Sequence, residues 1–235
     1  MKKMLLMLLF VVTVTSINSC TNDEPSKKEK LSKTKLILHV GETETITYEG
    51  KDLCNWYSQN NLIASVDNGK IKANLVGKTN IYANDLECNV EVLPNITMYD
   101  EPYLNWGTTK SDVKNYMSSY TLTKETSNQL AYQGVGNEFS YIYIFENGVL
   151  SGASMGILYS NSERIVYFMA ERYCFTGEID DYYPFVSPDD KTYGAISLEN
   201  SYVMVIYMPR SNKRSLSTIN LENIHKEVLE DIIIK

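Results

Sequence analysis

The chain has 235 residues, with 22 Lys and Arg against 29 Asp and Glu, a net charge of −7. An acidic balance of this kind repels nucleic acid and anionic headgroups and argues against both as ligands. Two histidines leave little material for acid–base or metal chemistry, while 18 tyrosines suit strands and contact surfaces alike.

The first element is a leader. Lys2 and Lys3 precede an apolar run from Met4 to Val14, then Thr15–Ser19 and Cys20. This is the charged start and apolar stretch of a secretory signal, too short to span a bilayer. Ile17-Asn18-Ser19-Cys20 resembles the lipobox of bacterial lipoproteins, with Asn18 where the family usually has a small residue. The resemblance implies cleavage of residues 1–19 and lipid attachment at Cys20, which ties the mature chain to a membrane. Thr21-Asn22-Asp23-Glu24 resembles the export signal of Bacteroidota lipoproteins, and implies the outer face of the outer membrane. Loss of residues 1–19 removes Lys2 and Lys3 but no acid, so the charge of −7 becomes −9. Residues 20–33 are expected to be a flexible tether, because their charged stretch buries too little apolar surface to offset ordering. A lipid on a tether anchors a protein to a membrane without crossing it.

Residues 34–93 are expected to form the first folded unit, an antiparallel β-sandwich. Short runs at 35–40, 44–48, 55–58, 63–66, 70–73, 79–83 and 87–92 alternate with Gly, Asn and Asp turns. Asp67-Asn68-Gly69 is the strongest of these turns, because Asn and Gly tolerate positive φ. Val40-Gly41-Glu42-Thr43, Trp56-Tyr57-Ser58-Gln59-Asn60, Ile63-Ala64-Ser65-Val66-Asp67, Gly69-Lys70-Ile71, Gly77 and Asn80-Ile81-Tyr82-Ala83 resemble the bacterial Ig-like domain of group 2. That family implies a spacer or adhesion module without catalytic residues, and a core position for Trp56; an exposed ligand platform is the other reading of that ring. Cys54 shares a strand face with Trp56, and Cys88 with Val90 and Val92, so both thiols point inward. A Cys54–Cys88 disulfide and two buried free thiols both remain open, the family often keeping a cysteine near its last strand. Cys174 has no evident partner.

Residues 98–235 are expected to form an α+β domain of two tandem α-β-β-β modules, with an antiparallel sheet and helices on one face. Thr109 and Asp112 set a helix start, and Val113, Tyr116, Met117 and Tyr120 recur at helical spacing. Strands follow at 130–133, 139–145 and 149–159, joined by the turn Glu146-Asn147-Gly148. Adding 53 carries Thr109 to Ser162, Val113 to Val166, Met117 to Ala170, Tyr120 to Tyr173 and the turn to Glu199-Asn200-Ser201. This internal repeat covers about 107–159 and 160–209. The pattern resembles the β-lactamase inhibitory protein fold and smaller outer-membrane assembly lipoproteins, whose modules open as Gly107-Thr108-Thr109-Lys110-Ser111-Asp112-Val113 does. The resemblance implies that one sheet face carries helices and the other binds a protein. Leu221, Ile224, Val228, Leu229 and Ile232 predict a C-terminal amphipathic helix over about 220–232, capped by Asn220.

In Phe139–Phe145 and Tyr202–Met208 both strand faces are apolar, which means cover on both sides or an exposed binding patch. Tyr141, Tyr143, Tyr202 and Met204 are the candidate binding face. Catalytic chemistry is not expected. His39 and His225 lie in no nucleophile, zinc or hydrolase motif, Asp180-Asp181 and Asp189-Asp190 are loop acids, and Gly134-Val135-Gly136 lacks the Lys of a phosphate loop. No cofactor or metal is expected. Two functions follow: a surface adhesion protein whose Ig-like stalk presents a head that binds a protein or host matrix, or a glycan-binding accessory lipoprotein. Flat exposed aromatics beside Asn, Asp or Arg would mark the glycan reading, and a broader apolar patch the protein one.

Overall fold

The computed structural model describes residues 28–50, 53–134, 139–158, 162–178, 182–198 and 202–210. They are mostly β-sheet, with two α-helices. The leader, Cys20 and the expected C-terminal helix lie outside the described residues.

Nine strands build the first unit: β1 Lys30–Leu31, β2 Lys35–His39, β3 Thr43–Thr45, β4 Tyr48–Glu49, β5 Trp56–Ser58, β6 Ala64–Asp67, β7 Lys70–Ala73, β8 Gly77–Ala83 and β9 Leu86–Leu93. They form a four-stranded sheet in the order β2-β9-β8-β5, a three-stranded sheet β3-β7-β6 and the ribbon β1-β4. Alternation sends Leu36, Leu38, Ile71, Ile81, Cys88, Val90 and Val92 into one core, with Lys70 and Lys72 on the opposite phase. Trp56 packs against that core while half-buried. The turn between β6 and β7 has positive φ at Asn68 (48°) and Gly69 (81°), the geometry of a two-residue hairpin loop. Any side chain at Gly69 would meet the Ile46 carbonyl oxygen at 2.3 Å, so the glycine serves close approach as well.

Three expectations change here. β2 runs parallel to β9, so the pairing is mixed rather than purely antiparallel. The ordered unit starts before residue 34: β1 pairs with β4, and Leu31 is buried, because one leucine in a charged stretch suffices to dock a two-residue strand. The candidate disulfide is absent, and Cys54, Cys88 and Cys174 are free thiols. Register explains why. Ser58 and Cys88 both flank Ile81, so Cys54 sits four residues along and two strands across, roughly 13 Å by roughly 9 Å, beyond disulfide reach.

The second unit comprises α1 (Lys110–Tyr116), a 3₁₀ turn (Met117–Ser119), β10 Thr121–Glu125, β11 Gln129–Gln133, β12 Phe139–Glu146, β13 Val149–Leu158, α2 (Ser162–Ala170), β14 Cys174–Phe175, β15 Tyr182–Val186, β16 Thr192–Leu198 and β17 Tyr202–Pro209. One antiparallel sheet runs β10-β11-β12-β13-β17-β16-β15-β14, so the second half mirrors the first about the β13–β17 pair. β11 and β15, β12 and β16, and β13 and β17 start 53 residues apart. Each helix is followed by four strands, not three. β10 escapes the sequence pattern because all five of its residues are exposed, and β14 because it has only two.

The helices depart from the 53-residue offset. Thr109 caps α1 through a full capping box with Asp112, and α1 starts 52 residues before α2. The inward residues follow that shorter offset: Val113 and Met117 correspond to the buried Ile165 and Met169. Val166, expected to be inward, is 45% exposed, and Ala170 faces solvent. One additional residue between α2 and β15 accounts for the change of phase.

Both helices pack on one sheet face, formed by Tyr132, Tyr141, Tyr143, Met155, Val205 and Tyr207. The segment 96–106, without regular structure, packs on the same cluster through Ile96, Tyr99, Tyr103, Leu104 and Trp106. Its polar backbone is satisfied by phenols. Tyr141 donates to the Asp100 carbonyl (2.7 Å), and Tyr143 accepts from the Tyr103 N–H (3.0 Å). Tyr173 donates to Glu101 Oε1 (2.7 Å), and Tyr120 donates to the Asp100 carboxylate. Burial and then the Asp100 bond push the Tyr120 phenol up to about 12. Burial raises Tyr141 and Tyr143 further, and it raises Tyr173 and Tyr207 well above the ordinary phenol range.

The two units meet at the end of α2. Glu171 Oε2 accepts from the successive N–H groups of Asn95 and Ile96, each at 3.0 Å, and its carbonyl accepts from Val76 N–H (2.7 Å). Arg172, buried over the Phe168 ring, donates to the Ile96 carbonyl (3.0 Å). Asn60 donates to the Pro188 carbonyl (2.9 Å). Bonds on both sides of the linker hold one unit against the other.

Candidate functional site

The candidate binding face on the large sheet does not stand. Tyr141 is 1% exposed and Tyr143 and Met204 are 0% exposed. Alternating aromatic residues in β12 meet the helices and the segment 96–106, so their phenols serve packing and hydrogen bonding inside the fold. Tyr202 opens β17, and its side chain lies outside the described residues.

Tyr116, Tyr167 and Phe175 are exposed on the second unit, and a stacked pair of tyrosines lies on the other unit, on the solvent face of β2-β9-β8-β5. Trp56 and Ile81 face the core, so the neighbouring Tyr57 and Tyr82 must face out. The two tyrosines are direct cross-strand partners, and their rings stack with centroids 4.8 Å apart and planes 14° apart. Because β5 is an edge strand, stacking covers one face of the Tyr57 ring and leaves the other open, and Tyr57 is 48% exposed.

Register sets polar residues in rows beside this pair. Glu87 continues the row of Tyr57 and Tyr82, and the next row holds Asn80, Asn89 and Lys35. Asn89 donates to Asn80 Oδ1 (3.0 Å) and Glu87 Oε1 (2.6 Å), and Asn80 donates to the Tyr82 hydroxyl (3.5 Å). A third row carries the ion pair Lys78–Glu91 (3.2 Å) and Ile37. A depression of about 300 Å³ lies over the second and third rows, apart from the tyrosine rings, and is lined by Lys35, Lys78, Asn80, Asn89 and Glu91 together with Thr79 and the apolar Leu36 and Val90. The surface thus offers one open ring face, side-chain amides and both signs of charge, which suits a neutral polyhydroxylated ligand better than an apolar one.

The remaining candidates are dispersed. His39 is exposed, its Nδ1 3.1 Å from the Pro94 carbonyl. Asp189 sits in a turn: partial burial pushes its carboxyl up, but bonds from Ser187 Oγ and Lys191 N–H hold it below the usual range. Asp190 pairs with Arg210. Burial raises the thiols of Cys54, Cys88 and Cys174. Cys20, Asp180-Asp181, His225 and Val135-Gly136 lie outside the described residues. Among the described residues no three His, Cys, Asp or Glu side chains converge as metal ligands. No helix among them is long and apolar enough to cross a membrane.

Sequence reasoning passed over Tyr57 and Tyr82 as a site. The signal was there: both tyrosines fall on the polar phase of strands whose other phase is Trp56, Ile81 and Ala83. No protein-family model matches the sequence, and no curated protein matches it either.

Proposed function

We propose that this chain is a lipid-anchored surface protein that binds glycans on the outer face of its first β unit. The observation that carries this reading is the Tyr57–Tyr82 stack, with one ring face open beside the Asn80–Asn89–Lys35 row. Sugar rings present C–H faces to aromatic planes and hydroxyls to amides, and this surface supplies both in adjacent rows. The leader and Cys20 support placement at the outer membrane through an N-terminal lipid. The mixed sandwich with a half-buried Trp56 fits the Ig-like resemblance, and the shared 53-residue strand spacing fits a duplicated module of the β-lactamase inhibitory protein kind. Under this reading the chain performs no catalysis; it holds its ligand at the surface for other proteins to process.

The test is a glycan array followed by titration calorimetry on the soluble chain from Thr21, beside Tyr57→Ala/Tyr82→Ala. The expected result is binding of at least one oligosaccharide class, weakened by at least about tenfold in the variant. An unaltered chain that captures no glycan sinks the proposal. Adhesion to a protein is the second reading, and it retains one observation: Val166 and Tyr167 stand side by side on the outer surface of α2, 45% and 56% exposed. Capture of a purified matrix protein, lost in Val166→Asp, would favour it.

A further inference from the structure

The Tyr57–Tyr82 pair has a chemical counterpart on the second unit. Tyr116, the last residue of α1, is 51% exposed, and its ring lies against the half-buried Tyr103 with centroids 4.9 Å apart and planes 41° apart. Asn105 is exposed and donates from Nδ2 to the Tyr103 hydroxyl (3.3 Å). The pair on β5 and β8 is built alike: Tyr57 stacks on Tyr82, whose hydroxyl accepts from Asn80 Nδ2 (3.5 Å). In each, one tyrosine stands half in solvent and the hydroxyl of the other holds a carboxamide beside it. The scaffolds are unrelated, a sheet face in one unit and a helix end beside a loop in the other. The likeness therefore lies in the chemistry offered to solvent.

Each member of the second group is fixed in place by the fold. The Tyr103 N–H donates to the buried Tyr143 hydroxyl (3.0 Å). Asn105 opens a turn that Thr108 Oγ1 closes on its carbonyl (2.8 Å), with Gly107 at φ 79° and its N–H on the Leu150 carbonyl (3.1 Å). Val113 and Met117 bury the inner side of the helical segment and leave Tyr116 outward. Side chains ordered in advance lose little freedom when a ligand arrives. The surroundings are acidic. Burial, then the charges of Asp100 and Glu101, raise the Tyr116 phenol, and Asp100 is exposed. Such a surface repels uronates and sulfated sugars and admits neutral ones.

We infer that Tyr103, Asn105 and Tyr116 form a second carbohydrate subsite, which takes a neutral sugar ring on Tyr116 and its hydroxyls on Asn105. This subsite rests on the same reading as the first, an aromatic face with a carboxamide beside it. It has one carboxamide where the first has Asn80 and Asn89, so it is the weaker of the two and accounts for the binding that Tyr57→Ala/Tyr82→Ala keeps.

Tyrosine ring signals report the two subsites separately. The soluble chain from Thr21, carrying ring-labelled tyrosine, is titrated with short neutral oligosaccharides of glucose, mannose, galactose and xylose and followed by nuclear magnetic resonance. A sugar that shifts Tyr57 should also shift Tyr116, at a concentration about tenfold higher. The Tyr116 response should persist in Tyr57→Ala/Tyr82→Ala, and the Tyr57 response in Tyr116→Ala. Asn105→Ala should weaken the Tyr116 response about fivefold, the worth of one hydrogen bond. A sugar that saturates Tyr57 and leaves Tyr116 unmoved overturns the second subsite while the first stands. Loss of the Tyr116 response in a folded Tyr57→Ala/Tyr82→Ala also overturns it, because one site is then felt at a distance. A Tyr116 response with Tyr57 unmoved upholds the second subsite and removes the first. No response at either ring removes both. If Tyr116→Ala does not fold, the ring signals of the unaltered chain decide.

Discussion

Tyrosine plays opposite parts in the two sheets. In the large sheet Tyr141, Tyr143 and Tyr207 alternate along their strands, lie fully buried and hold an extended segment or a helix through their hydroxyls. In the four-stranded sheet Tyr57 and Tyr82 alternate equally well, yet face solvent and stack on each other. The strand pattern is the same, so alternation alone does not tell a core phenol from a surface ring. What differs is the opposite phase. Tyr57 and Tyr82 sit across from Trp56, Ile81 and Ala83, which already fill a core, whereas Tyr141 and Tyr143 sit across from Ser140, Ile142 and Ile144, which leaves both phases apolar.

The comparison is broken most directly at Tyr143→Ala, which empties a fully buried aromatic position and frees the Tyr103 N–H. The expected cost is about 3–5 kcal/mol, read as a fall in the denaturant midpoint at unchanged slope. A loss below about 1 kcal/mol would show that the phenol is not core. Alkali tests the same set without mutation. In the unfolded chain phenols ionise near pH 10. In the folded chain burial holds Tyr120 up to about 12, Tyr141 and Tyr143 higher still, and Tyr173 and Tyr207 well above the ordinary phenol range. Their contribution is complete below pH about 10 and declines as pH rises toward the folded values. Absorbance of phenolate at 295 nm and the far-ultraviolet circular dichroism should therefore change together above pH 10. Full phenolate absorbance with an intact dichroism signal would contradict this.

Much of the fold was legible in the residues because period and turn chemistry agree with the final packing. β7 and the turns at Asn68-Gly69 and Asn147-Gly148 fall where alternation and positive φ require them. The spacing of 53 is reproduced strand by strand. The helix phase was not legible, because Val166 is as apolar as Ile165 and only a one-residue shift of α2 decides which faces inward. β10 was illegible because an exposed edge strand carries no apolar phase. The site was misread because tyrosine suits both a core and a platform, and its environment depends on strands distant in sequence.

Two smaller effects test how firmly the comparison is framed. Glu171→Ala leaves the N–H groups of Asn95 and Ile96 without their carboxylate, at a cost of about 1–3 kcal/mol. Small-angle scattering should show a larger radius of gyration as the units loosen, and an unchanged profile would mean that the other bonds suffice. Thr109→Ala removes half of the capping box of α1, a loss of about 1 kcal/mol. The Asp112 half depends on pH. Hydrogen bonds from the Thr109 side chain and N–H hold its carboxyl below the usual range, so its support is present above pH about 4 and disappears as pH falls through the folded value. Thr109→Ala should flatten that acid limb.

Tyr57→Ala is the smallest change for stability and the most informative for function. The ring is 48% exposed and among the described residues stacks on Tyr82 alone, so its removal should cost about 1 kcal/mol or less and leave the large-sheet phenols untouched. Removing Tyr57 takes away the open ring face while Asn80, Asn89 and Glu87 keep their mutual bonds. Glycan affinity should fall at least about tenfold with a melting temperature within a few degrees of the unaltered chain. A Tyr57→Phe control keeps the ring and should keep most of the affinity, since stacking needs the ring face rather than the hydroxyl. If Tyr57→Ala unfolds the chain instead, the stack is a structural element of the edge strand, and the contrast between the two sheets is one of degree only.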